Sequence, residues 1–363
     1  MTMATFFQKV KLFQSILTGN ADITDPIFVT FDATRRCNLR CVGCPYHSPH
    51  AKGIPSRNSN TGDMPLSLVR QICDQLKAKN TRSIVIEGSG EPFLNPDILE
   101  IISTIKAAGF SLTILTNGTL LDRSVTQFLI EKQVDVVKVS LWANSVEGYV
   151  ENHPGVDPDN FRKVIDGLNF FASLKAERKS RFPEVWIHNP INRYNFRSLH
   201  AMVDLAIKAR CNGLSYSPLF NFRGTLDHIA LSEDEERLTQ GCLWEIKKRL
   251  NSLSIKHNID HLMLRYKIGE KIWEKIPCYI AWTHSRISSD GIAHPCCRCE
   301  LELGNLYNSS FQEYWNGPAM HAFRQQTLTK EGLFALNTNC DCRFCWHVPD
   351  NNRIHQILKW LHL

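Results

Sequence analysis

Three cysteines fall within eight residues, Cys37-Asn38-Leu39-Arg40-Cys41-Val42-Gly43-Cys44, with no fourth beside them. A trio of thiolates on one metal site leaves a coordination position without a protein ligand. Structural zinc takes four protein ligands, commonly from paired CxxC knuckles, whereas a cubane iron–sulfur cluster can be held by three cysteines with one iron left for a small molecule. His47 is the nearest residue able to complete a zinc site instead.

The run sits just after the first of six short apolar stretches: Ile27–Phe31, Ser83–Ile86, Ser111–Leu115, Val136–Leu141, Val185–Ile187 and Leu214–Ser217. Their spacing predicts strands, and the segments between them carry helical periodicity, as in Leu66, Val69, Ile72 and Leu76, or Ile98, Ile101, Ile102 and Ile105. Repeated strand-then-helix units build a parallel α/β sheet or barrel, whose chemistry lies in the loops after each strand. After Asn221 the alternation stops. Ser232-Glu233-Asp234-Glu235 reads as a capping box opening a helix to about Leu250, and from Cys278 onward the chain is a separate cysteine-dense module.

Thirteen cysteines without an export signal point to metal binding in a reducing cytosol rather than to a disulfide scaffold. The N-terminal Phe6-Phe7-Gln8-Lys9-Val10-Lys11-Leu12-Phe13 reads as a short amphipathic helix, and no apolar stretch reaches membrane-spanning length. The formal charge of +6 is dispersed, so no membrane span and no nucleic-acid partner is expected.

Glu87-Gly88-Ser89-Gly90-Glu91-Pro92 follows the second run; its glycines allow backbone to approach a ligand while Glu91 offers a carboxylate to an ammonium group. Thr116-Asn117-Gly118 follows the third, and Ser140 closes the fourth. His188, Asn189 and Asn195 beyond the fifth, with Tyr216 and Ser217 on the sixth, form a candidate cofactor or substrate surface. In the C-terminal module, Cys278 and Gly291-Ile292-Ala293-His294-Pro295-Cys296 flank the turn Ser288-Ser289-Asp290-Gly291, which reads as a hairpin bringing the two cysteines together. Cys342-Arg343-Phe344-Cys345 adds a CxxC, and a zinc ribbon would use similar geometry. Cys73, Cys211 and Cys242 lie in helical patterns and read as buried hydrophobes.

The CxxxCxxC run on a strand-following loop resembles the signature of the radical S-adenosylmethionine superfamily, over about Pro26 to His347. The resemblance implies a partial (β/α)6 TIM-like barrel over 26–225, after an N-terminal helix over 1–25. A helical connector over 226–277 and a SPASM or twitch extension over 278–363 complete the expected organisation. It implies two kinds of cofactor: a catalytic [4Fe–4S] cluster on Cys37, Cys41 and Cys44 whose open iron chelates S-adenosylmethionine, and one auxiliary [4Fe–4S] cluster on Cys278, Cys296, Cys342 and Cys345. Gly88, Ser89, Gly90, Glu91, Asn117 and Ser140 are then cofactor-binding residues. Tyr46 stands in for the aromatic residue that many members carry where this chain has Gly43. Gly304-Asn305-Leu306 and Tyr314-Trp315 also look typical of the extension. Cys297, Cys299 and Cys340 remain over. With Asp341 or His347 they can hold a second metal, or one can be a free thiol that donates a hydrogen atom.

The reaction implied is reductive cleavage of S-adenosylmethionine to a 5′-deoxyadenosyl radical that takes hydrogen from a small-molecule substrate, a sugar, aminocyclitol or nucleoside, for oxidation or epimerisation. A peptide maturase forming crosslinks and a non-catalytic iron–sulfur or zinc scaffold are the alternatives. A flavodoxin or ferredoxin is the expected reductant. Arg286, His284 and Arg298 lie near the auxiliary cysteines without an assigned role.

Overall fold

The computed structural model describes residues 3–19, 24–50, 62–77, 79, 81–219, 221, 224–336, 340, 342 and 345–360. All six runs are strands: β1 Phe28–Asp32, β2 Ser83–Glu87, β3 Ser111–Thr116, β4 Val136–Ser140, β5 Glu184–Ile191 and β6 Gly213–Pro218. Each pairs in parallel with the next, so the chain advances one strand at a time around the sheet. Helices between them cover the outer face. Ile84, Ile86, Leu112, Ile114, Val137, Val139 and Ile187 point into that helix layer with no exposed surface.

The period of two sends the alternate residues to the barrel interior. Asp32 pairs with Glu87, Leu115 with Lys138, Lys138 with Trp186, and Ser140 with His188, so these side chains form successive inner layers. The interior face of a parallel sheet is ordinarily apolar; here it carries charges.

Four further strands extend the sheet beyond what periodicity predicts. β7 (Lys256–His257) pairs in parallel with β6 from inside the segment expected to be all helical. It follows the helix Glu233–Ser252, which opens with the Ser232/Glu235 capping box as expected. At the other edge β8 (His284–Ile287) pairs in parallel with β1, then β9 (Ile292–His294) and β10 (Gly304–Asn305) add antiparallel strands. The strand order is β10-β9-β8-β1-β2-β3-β4-β5-β6-β7. The cysteine-dense module therefore continues the barrel's own sheet, and the predicted hairpin between Cys278 and Cys296 is the β8–β9 pair. Among the described residues, no helix is long and apolar enough to cross a membrane.

Arg324 locks the C-terminal module. Fully buried, it donates from Nε to the Ala281 carbonyl at 3.0 Å and from Nη1 to the Trp315 carbonyl at 2.7 Å, and its guanidinium lies 4.3 Å from the Trp315 ring centroid. A lysine ammonium lacks the planar fork that reaches both carbonyls while stacking. Arg324→Lys should lower unfolding free energy by about 1–3 kcal/mol, read from the denaturant midpoint. An unchanged midpoint would show that the fork is dispensable.

Candidate active site

β1 ends at Asp32 and the chain passes directly into the loop that carries Cys37, Cys41 and Cys44. Asn95 anchors its base, donating from Nδ2 to the Ala33 and Met64 carbonyls at 2.7 and 3.0 Å. The loop then folds around its sulfurs: the Cys44 amide donates to the Cys41 carbonyl at 3.0 Å, and the Tyr46 and His47 amides both point at Cys44 Sγ from 3.3 Å. Burial first, then the charge of Cys44, pushes the Cys37 thiol up to about 11 and holds Cys41 well above the usual thiol range. Three bare thiolates would therefore repel one another in this half-buried loop, and a cationic iron core removes that repulsion. Half-buried sulfurs with backbone amides aimed at one of them suit a cluster.

The turn after β2 lies against this loop. Gly88 has φ +116°, and a Cβ there would stand 1.9 Å from Asp32 Oδ1; one on Gly90 would stand 2.3 Å from the Arg36 carbonyl oxygen. Both glycines are thus required by close approach. Ser89 Oγ lies 3.4 Å from Asp32 Oδ2, and the Ser89 carbonyl meets His47 Nε2 at 2.6 Å. Glu91, 1% exposed, accepts from the Thr116 hydroxyl (2.7 Å) and from the Asn117 and Phe93 amides (2.6 and 3.2 Å), while its own amide donates to the Arg36 carbonyl at 2.9 Å. Burial outweighs these donors and raises its carboxyl to about 7. Asn117 Nδ2 in turn holds Asn38 Oδ1 at 2.8 Å, inside the cysteine loop. Glu91 here is a clamp between the three turns.

Ser140 accepts from Trp142 Nε1 at 2.8 Å. Trp142, at φ +64°, is fixed by Asn189 Oδ1, which accepts its amide hydrogen at 2.9 Å, and by Asn195 Nδ2, which donates to its carbonyl at 3.1 Å. A Cβ on Gly43 would meet that ring at 2.8 Å, so the aromatic side chain beside Gly43 is Trp142. The Tyr46 hydroxyl instead lies 3.1 Å from Arg286 Nη1 and 3.3 Å from Glu300. Asn189, Asn195 and Tyr216 are buried away from the barrel interior, the tyrosine hydroxyl donating to the Leu199 carbonyl. Of the five residues expected on that surface, His188 and Ser217 face inward. His188 sits between the Ser215 and Ser217 hydroxyls at 2.9 and 3.3 Å, and burial lowers it to about 3, so it is neutral.

Sequence reasoning missed Trp142, whose left-handed backbone leaves no local pattern. It also missed the interior charges, although Glu87 and Lys138 occupy inward positions that strand phase reveals. Arg286 pairs with both Glu300 oxygens, at 3.1 and 2.9 Å, and closes a small polar cavity with Asp32, Arg35, Tyr46, His47 and Ser89.

A second cavity lies in the C-terminal module, and six cysteines line it: Cys278, Cys296, Cys299, Cys340, Cys342 and Cys345. Ile280, Phe323, Leu333 and Leu336 form its apolar wall. The four cysteines expected to hold an auxiliary cluster are thus brought together, and burial pushes the Cys278 thiol up to about 12. Cys299 and Cys340, expected as spare metal ligands or a free thiol, are instead joined to each other by a disulfide at the same cavity. Cys297 points elsewhere, 3.4 Å from His347 Nε2, whose Nδ1 lies 3.3 Å from Asp350. Asp341 lies outside the described residues.

The comparisons agree with this geometry. Residues 32–178 match the model of the radical SAM superfamily, and residues 278–346 match SPASM, an iron–sulfur cluster-binding domain. The Fe-coproporphyrin III synthase of Methanosarcina barkeri is 31% identical over 79% of this chain and 73% of its own. The subtilosin biosynthesis protein AlbA of Bacillus subtilis is 24% identical over 94% and 73%. Streptococcus suis SuiB bound to S-adenosylmethionine shares the fold, with a TM-score of 0.65 and 17% identity over 89% of this chain and 72% of that one. A three-cysteine loop at the mouth of a parallel barrel, a second cysteine-lined cavity on the same sheet and these matches place the chain in the radical S-adenosylmethionine superfamily, among its members with a SPASM domain.

Proposed function

We propose that this enzyme oxidises a peptide substrate held inside its barrel. When bound to the reduced N-terminal cluster, S-adenosylmethionine supplies a 5′-deoxyadenosyl radical that removes a hydrogen atom, and an auxiliary cluster can take the second electron of the oxidation. Cys37, Cys41 and Cys44 would hold the first cluster, and Cys278, Cys296, Cys342 and Cys345 the second. Gly88, Ser89 and Gly90 would present backbone to the methionine end of the cofactor, with Glu91 and Asn117 fixing that turn. Ser140 would offer its hydroxyl to the ribose, with Trp142 shielding the loop from water. Tyr46 orients Arg286 through its hydroxyl. A low-potential flavodoxin or ferredoxin in the cytosol would supply the electron.

One observation above all supports this: two separate cysteine groups lie on a single sheet whose inward positions carry polar and charged side chains. For the substrate, the match to AlbA over nearly the whole chain supports a peptide. The higher identity to an Fe-coproporphyrin III synthase supports a second reading, a tetrapyrrole. Neither relative is named for a sugar or aminocyclitol, so those two of the small substrates expected from the sequence are the weaker candidates.

Two single variants separate the sites. After anaerobic reconstitution the wild type should carry about eight irons, and Cys37→Ala and Cys342→Ala about four each. Cys37→Ala should form no 5′-deoxyadenosine with dithionite, whereas Cys342→Ala should still cleave S-adenosylmethionine. Loss of cleavage to the same background in both would refute the division of labour.

A further inference from the structure

The barrel interior holds a charge that neither sulfur site uses. Lys138 projects from the middle of β4, between Leu115 on β3 and Trp186 on β5, and its Nζ lies 5.7 Å from the Trp186 ring centroid. Among the described residues it makes no hydrogen bond and no ion pair within 4 Å; its one opposing charge is the field of Glu87. Glu87 follows Ile86, which pairs with Ile114, so the carboxylate and the ammonium flank Leu115 in one inner layer without closing on each other.

The cations around Glu87 are Lys138, His347, Arg298 and Arg286. Arg286 is committed to both oxygens of Glu300, and His347 lies between Cys297 and Asp350. Lys138 is the one whose partner is missing among the described residues. A partly buried ammonium with no counter-ion in contact is costly, and burial accordingly holds it below the usual lysine range. The neighbouring inner layer is uncharged, made of Ser140, neutral His188, Ser215 and Ser217.

We propose that Lys138 is the anchor for a substrate carboxylate inside the barrel, with Trp186 as the apolar floor beneath the carbon chain and the Ser215–His188–Ser217 row as neutral hydrogen-bonding partners. One ammonium matches one negative charge. A phosphate dianion would call for several cations, and a cationic aminocyclitol would meet the ammonium. The inference rests on the barrel interior being the substrate site of the proposed oxidation. It narrows that substrate to a carboxylate-bearing molecule, either an acidic peptide side chain or a tetrapyrrole propionate.

The test is protection of Lys138 from reductive methylation by formaldehyde in the anaerobic holoprotein, read residue by residue by mass spectrometry. Exposed Lys132 and Lys163 serve as internal controls. Butyrate, butyramide, butylammonium and propyl phosphate are the matched probes. At about four times its Kd, butyrate should slow methylation of Lys138 by ~5-fold and leave the controls unchanged. Butyramide should do nothing. Equal protection by butyramide, protection by phosphate or butylammonium in place of butyrate, or no protection by any probe would overturn the proposal.

Repeating the protection with the α-amide of N-acetylglutamate and with coproporphyrin III separates the two carboxylate sources, and tighter protection by either supports the site. Formation of 5′-deoxyadenosine by the same preparation scores the radical reading independently. A preparation that cleaves S-adenosylmethionine but shows no butyrate protection loses the carboxylate site alone. Protection without cleavage removes the oxidation from which the substrate was inferred.

Discussion

The close contact of three successive strand-following turns carries the rest of the structure. Gly90 lies against the Arg36 backbone, the Glu91 amide donates to the Arg36 carbonyl, and the Glu91 carboxylate reaches the Thr116 hydroxyl and the Asn117 amide. Asn117 then returns to Asn38 in the cysteine loop. Buried hydrogen-bonded networks of this kind fix one arrangement, because any member left unpaired costs about 1–3 kcal/mol. The positions of Cys37, Cys41 and Cys44 follow from this clamp, which holds their loop at both its start and its side.

The same parallel sheet carries the second sulfur site. β8 adds to the free side of β1, so the first strand has the three-cysteine loop at its end and the C-terminal cysteine module along its edge. Arg286, projecting from β8, joins the two through Tyr46 and Glu300. Its position beside Asp32 balances a carboxyl that burial raises to about 7. Electrostatics therefore adds to the β1–β8 pairing and its buried Phe31 and Ile287 in tying the hairpin to the cysteine loop. The interior between them stays polar because the apolar halves of the strands are spent on the helix layer.

Much of this was legible in the residues. Alternation of two in Ser83–Glu87 or Val136–Ser140 determines which side chains meet the helices, since a slip by one would bury Glu87 and Lys138 in the apolar layer. Ser232 and Glu235 announced their helix by a local hydrogen-bond pair. The spacing of the first three cysteines announced their loop. What stayed hidden was non-local or conformational. β8 has four residues and finds its partner β1 more than two hundred and fifty residues away in sequence, a pairing that no local periodicity encodes. Trp142 takes its place through a positive φ and two distant asparagines. The meeting of Cys299 and Cys340 at the cavity of the other four cysteines depends on how the tail folds back.

Everything else depends on the N-terminal loop being a catalytic centre rather than a metal-bound scaffold. The most direct measurement is 5′-deoxyadenosine formed by the anaerobically reconstituted wild-type protein on adding dithionite and S-adenosylmethionine. The account predicts steady formation that requires both reagents. A protein fully loaded with iron that leaves S-adenosylmethionine intact would contradict it.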